Sequence, residues 1–271
     1  MSKMKVGLQV YSIRDVAEKD FEGAMKAVKE MGYDGVELAG MYGIPATEIR
    51  QILDNVGLEC ISAHVSYGDL MSDIEGTVAA YNTVGAKFIA LPYMNPEHRP
   101  TAPDFDKVLE NIKKISDECK KYGIALLYHN HDFEFEKMPD GTYALDYLYK
   151  TAGLDVIKPE FDTCWVRVAG EDPVEYIKTY AGNCPVVHLK DFVGSKSENM
   201  YALIGIDKEA SVTEEFRFRP VGYGVQDFPS IIKASEECGA GWVIVEQDNS
   251  YETPVLETAK MSRDYIKSIY R

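Results

Sequence analysis

The feature that most constrains this chain is a repeated punctuation: an amphipathic stretch stops at a glycine, and a short apolar run begins within a few residues. It occurs at Gly32, Gly57, Gly85, Gly123 and Gly239. A glycine just past the last helical turn adopts the left-handed conformation that closes a helix, and a strand can then start without a long loop. Residues 105–122 show the pattern best. Phe105, Val108, Leu109, Ile112, Ile115, Cys119 and Tyr122 follow a 3.6-residue period, lysines and acids fill the other face, and Gly123 ends the segment. Eight apolar runs read as strands: 5–12, 35–39, 58–65, 87–94, 124–131, 156–162, 185–191 and 241–248. Most start about 25–37 residues apart, room for one strand and one helix each. Eight βα units in 271 residues match the arithmetic of an α/β fold closed as a (β/α)8 TIM barrel, typically about 250 residues. An open doubly wound sheet would place a glycine-rich phosphate loop after its first strand, and Ser12-Ile13-Arg14-Asp15 contains no glycine. With no Pro-, Ser- or Gly-rich linker, residues 1–271 read as one barrel domain. The last strand interval is longer and poor in apolar residues before Phe216, so an extended loop at about 192–227 is expected near the barrel mouth, followed by a seventh helix from Phe228 to Cys238.

Charge narrows the partners. The chain carries 29 Lys+Arg against 44 Asp+Glu, a formal net charge of −15, and such a surface repels polyanions at long range. Nucleic acid is therefore not an expected partner, and a small-molecule ligand is. No apolar run approaches the roughly 20 residues that cross a bilayer, and Arg14 and Asp15 interrupt any signal-peptide core, so no membrane association and a cytoplasmic location are expected. Five cysteines, Cys60, Cys119, Cys164, Cys184 and Cys238, lie far apart with no C-x-x-C pair. They read as reduced, mostly buried thiols rather than a disulfide framework or zinc cage, with Cys164, beside Asp162, the one candidate for reactivity.

The apolar runs end repeatedly in ionisable residues. The third ends in His64, the fifth in His129 and His131 with Glu134 just beyond, the sixth in Glu160 and Asp162, the seventh in His188 and Lys190, and the eighth in Glu246 and Asp248. Pairs two apart share one face of a strand, and the C-terminal strand ends of a barrel carry its chemistry. One such acid reads as a helix cap or solvated rim residue, and one such histidine as a hydrogen-bonding core residue. Converging together, they would repel and lose hydration unless a cation joined them. Carboxylates with an imidazole suit one divalent ion such as Mn2+, Mg2+, Co2+ or Zn2+.

The segments GYDGVEL (32–38), YHNHDFEF (128–135), EFDTCWVRVAGEDP (160–173), VVHLKDF (186–192), VGYGVQDF (221–228) and WVIVEQD (242–248) resemble the sugar phosphate isomerase/epimerase family of xylose isomerase-like TIM barrels. The resemblance implies a divalent ion held by Glu, Asp, His and Glu from the fifth to eighth strands. Asp162, His188 and Glu246 match directly. Relatives that interconvert free sugars place the first Glu where this chain has Tyr128, and the nearest carboxylate is Glu134; if it points elsewhere, water, His129 or His131 takes its place. Inosose dehydratases and 3-keto-glycoside lyases of the superfamily carry a segment similar to Tyr128-His129-Asn130-His131. The implied chemistry is isomerisation or epimerisation of a small keto-sugar or polyol through an enediolate. A lyase or dehydratase reaction sharing the first step is the alternative, and a non-catalytic sugar-binding barrel is a further one. His131 or Glu160 is expected as the base. Lys190 is expected to hold a substrate oxygen or polarise the carbonyl, or to pair with Asp191 or Asp162. His64, His129, Glu37 and Gln247 are expected as substrate contacts. A homo-oligomer or a partner subunit stays open. Endonuclease IV-like repair enzymes collect more histidines than the five present, and the charge opposes DNA.

Overall fold

The computed structural model describes residues 3–196, 201 and 216–270. Eight parallel strands close a barrel: β1 (Lys5–Gln9), β2 (Gly35–Ala39), β3 (Glu59–His64), β4 (Phe88–Leu91), β5 (Ala125–His129), β6 (Lys158–Asp162), β7 (Val186–Leu189) and β10 (Trp242–Val245). Neighbours follow chain order, and β10 joins β7 to β1. Helices such as Phe21–Met31, Ala46–Val56, Phe105–Lys121 and Val255–Ile269 connect or follow the strands. Gly32 and Gly57 close the first two at φ 88° and 80°, in the left-handed region expected of them.

Strand ends stop where side chains recruit the backbone. The first strand ends at Gln9 rather than running to residue 12, because the Gln9 carboxamide accepts from the Tyr11 amide and starts the 3-10 turn Val10–Ile13. Asp162 ends β6 by accepting from the amides of Cys164 and Trp165, which caps the helix Thr163–Val168.

The seventh unit departs from the repeat. β7 is followed by β8 (Asp191–Gly194), paired antiparallel with β9 (Phe216–Arg219). Between them, residues 197–200 and 202–215 of the expected loop lie outside the described residues. Asp191 anchors the hairpin by accepting from the amides of Phe192, Gly222, Gly224 and Gln226. It is therefore not a partner of Lys190. Trp165, Phe192, Phe216 and Phe218 form a separate buried aromatic cluster with the hairpin. The helix Phe228–Glu237 follows, as expected. Arg217 of β9 pairs with Glu252.

Inside the barrel, Ile61, Ala90, Leu127, Val186 and Ile244 make an apolar plug. Leu127, Val186 and Ile244 each precede an ionisable residue by two positions, namely His129, His188 and Glu246. Alternation along a strand therefore stacks the polar layer directly on the plug. Ile61 and His64 are three apart and still both turn inward, because the register slips by one residue between Val36 and Glu37.

Candidate active site

The polar layer is dense and buried. Asp162 Oδ1 is committed to its helix cap, while Oδ2 lies 3.6 Å from His129 Nε2 and 3.1 Å from Lys190 Nζ. Glu246 Oε2 lies 3.0 Å from His188 Nδ1, 3.9 Å from His129 Nε2 and 2.9 Å from Lys190 Nζ. Lys190 also reaches Asp248 Oδ2 at 3.0 Å. One atom each from His129, Asp162, His188 and Glu246 lies within 4.8 Å of the others. Two imidazoles and two carboxylates, with Asp162 Oδ2 lacking a hydrogen-bond partner, fit a borderline divalent cation.

Below sits a floor. His64 Nε2 lies between Glu160 Oε1, at 2.8 Å, and Glu37 Oε2, at 3.0 Å. Glu37 is held in turn by the Gln9 carboxamide at 2.7 Å. Both acids are fully buried and lie outside the lining of the open cavity above. That cavity, about 350 Å³, is lined by residues including Tyr11, His64, Tyr93, His129, His131, Lys190, Glu246 and Asp248.

The charges sort by neighbour. Burial would depress His64, but Glu37 and Glu160 outweigh it and push its pKa up to about 10. His188 is raised against burial in the same way, by Glu37 and Glu160. His129 and His131 are lowered by burial, reinforced for His129 by His188 and for His131 by Lys190. Burial opposes the Lys190 ammonium, yet Asp162, Asp248 and Glu246 hold it charged. Burial also raises Asp248 to about 6, with Lys190 acting against the rise.

Several expectations change. Glu134 does not join the ion set: its Oε1 accepts from the Tyr128 hydroxyl at 2.5 Å and its Oε2 from the His131 amide at 2.7 Å. The 3-10 turn Phe133–Phe135 folds it back onto its own strand, and His129 is the fourth residue of the cluster with Asp162, His188 and Glu246. Glu37 and Glu160 lie in the floor rather than against the cavity. Gln247 alternates away from Glu246, and its side chain donates to the Asn249 carbonyl. All five cysteines are free, and burial raises the Cys164 thiol well above its ordinary value, the reverse of a reactive thiolate. Gln9 was missed; its only signal is a polar residue between Leu8 and Val10 inside an apolar run. Among the described residues no helix is long and apolar enough to cross a membrane.

Burial pushes Glu134 up to about 7 from an ordinary 4.5. A raised folded-state pKa means that the contribution to stability is complete below about pH 4.5 and is lost as pH rises through 7. The Glu134→Gln variant should therefore gain on wild type in urea melts between those pH values, by on the order of 3 kcal/mol. Parallel stability–pH curves for the two proteins would show that Glu134 does not titrate there.

A closed parallel barrel with an acid–imidazole cluster at the C-terminal ends of its strands defines an enzyme-type (β/α)8 barrel. The family model described as the xylose isomerase-like TIM barrel matches residues 25–269, and the chain belongs to that family. An inosose dehydratase of Clostridium beijerinckii is 25% identical over 281 residues, 92% of this chain and 90% of the relative. A solved sugar phosphate isomerase/epimerase from Parabacteroides distasonis superposes with a TM-score of 0.77 at 21% identity, covering 99% of this chain and 95% of that one. The IolI protein, solved with a bound zinc atom, superposes with a TM-score of 0.71 at 16% identity over 98% of each chain.

Proposed function

We propose that this protein is a metal-dependent lyase that removes water from a small keto-polyol of the inosose type. The observation that carries the reading is the placement of an acceptor and a donor on one cavity. His131 and Lys190 both line it; His131 Nδ1 is buried without a hydrogen-bond partner, while Lys190 is an ammonium among three carboxylates. The similarity to inosose dehydratases over most of the chain supports it.

His131 takes the proton from the carbon next to the substrate carbonyl, and the C–H electron pair becomes the new C=C bond of an enediolate. As the carbonyl re-forms, the C–O bond at the β carbon breaks. The departing hydroxyl takes a proton from Lys190 and leaves as water. His129, Asp162, His188 and Glu246 would hold a divalent ion, which when bound would supply positive charge against the negative charge that develops on substrate oxygen. His64 and Tyr93, also on the cavity, orient the ring hydroxyls.

Isomerisation or epimerisation, the expectation from sequence, shares the first step. Asp248, on the same cavity and with a pKa of about 6, favours it as a group able to return a proton. Incubation of Mn2+-supplied protein with a keto-cyclitol in D2O separates the readings. The lyase yields a product lighter by one water, whereas an isomerase yields deuterated product without loss of water. Absence of both across keto-cyclitols and keto-hexoses would leave the sugar-binding barrel as the better account.

A further inference from the structure

The floor is more elaborate than that metal reading requires. Glu37, His64 and Glu160 contribute nothing to the set formed by His129, Asp162, His188 and Glu246, yet they pack against both of its histidines. His188 Nε2 lies 2.8 Å from Glu37 Oε2 and 3.1 Å from Glu160 Oε1, and His129 Nδ1 lies 3.3 Å from Glu160 Oε1. One atom each from His64, His129, Glu160 and His188 lies within 4.8 Å of the others. Three buried polar atoms in this group, Glu37 Oε1, Glu160 Oε2 and His188 Nε2, have no hydrogen-bond partner. The last of them is the most telling, because it is close to two carboxylate oxygens and aligned for a hydrogen bond with neither.

The two histidines present opposite edges to the two layers. His129 turns Nε2 to Asp162 and Nδ1 to Glu160, and His188 turns Nδ1 to Glu246 and Nε2 to Glu37. A neutral imidazole has one lone pair, so each ring can serve one layer at a time. In the upper layer the carboxylates already hold Lys190; in the lower layer the ionisable partners of Glu37 and Glu160 are the imidazoles of His64, His129 and His188, donors a divalent cation can take in exchange for their protons, and no lysine or arginine among the described residues pairs with either acid.

We propose that the barrel contains a second, deeper seat for a divalent cation, built from His64, Glu160 and Glu37 with the inner nitrogens of His129 and His188, and that a single ion rests there in the absence of substrate. The proposal rests on reading this pocket as a metal centre. Its imidazole-rich donors suit Zn2+ or Co2+ better than Mg2+.

Each seat has residues that the other lacks: His64 belongs only to the deeper seat and Asp162 only to the upper. Zn2+ titration of the substrate-free full chain by calorimetry should give one ion per chain. His64→Ala should weaken binding on the order of 100-fold, while Asp162→Asn, which keeps an oxygen for the helix cap, should change it by less than about threefold. Because His64→Ala leaves two acids unbalanced and could fail to fold, anomalous diffraction from zinc-soaked wild-type crystals gives an independent reading. A peak beside His64 Nε2 supports the deeper seat. A peak beside Asp162 Oδ2, two ions per chain, or a loss of affinity as large in Asp162→Asn as in His64→Ala overturns it. Wild type that binds no Zn2+ or Co2+ overturns the metal reading itself, and the seat with it.

Discussion

Replacing Lys190 with methionine should destabilise the barrel by about 3–5 kcal/mol and abolish turnover. Lys190 is 1% exposed, and its ammonium lies 2.9–3.1 Å from carboxylate oxygens of Asp162, Glu246 and Asp248. Methionine fills a similar volume, so the loss is electrostatic: three carboxylates stay buried with no ammonium among them. Asp248, which burial already raises to about 6 with Lys190 acting against the rise, would be the first to take up a proton. The measurement is urea denaturation of both proteins with and without divalent ion. The ion should restore part of the lost stability in the variant, because a cation entering the upper layer replaces the missing charge and favours the folded state by mass action. A variant within about 1 kcal/mol of wild type would mean that these carboxylates are not ionised together, which removes Lys190 as the proton donor proposed here.

The His131→Gln variant should lose about 10²–10⁴-fold in turnover with little change in stability. His131 stacks on Phe133 and lies against Trp165 and Tyr93, and a glutamine occupies much of that volume. Its ring Nδ1 has no partner to lose, so the structural cost is small while the proton acceptor disappears. Deuterium uptake from D2O into recovered substrate should fall together with turnover. Normal uptake in the variant would pass the base to Asp248, which also lines the cavity and whose pKa burial raises to about 6. A wild-type reaction that retains the substrate hydrogen would point to a hydride shift and exclude proton abstraction altogether.

Much of the fold was legible in local pattern. Helix period, glycine stops and alternating strands depend on neighbours in sequence, so eight βα units could be counted and the polar strand ends identified before any contact was known. The convergence of Asp162, His188 and Glu246 was expected from their places at the ends of strands together with the family resemblance. The hairpin of Asp191–Gly194 with Phe216–Arg219 was not legible, because its strands are short and widely separated in the chain. Nor was the loss of Glu134 from the cluster: after the 3-10 turn that follows β5, its carboxylate is spent on the Tyr128 hydroxyl and the His131 amide, and the sequence could name His129 only as one of several replacements.

By itself the sequence determined which residues face inward and that the inward faces end in acids and imidazoles. Only the tertiary structure decided their depth. Glu37 and Glu160 lie below the cavity, Lys190 and Asp248 border it, and His129 and His188 stand between with one ring nitrogen turned to each layer. Height inside a barrel is set by strand tilt and by the register between neighbouring strands, including the one-residue slip beside Glu37. Those are relations between segments far apart in the chain, and no local period encodes them.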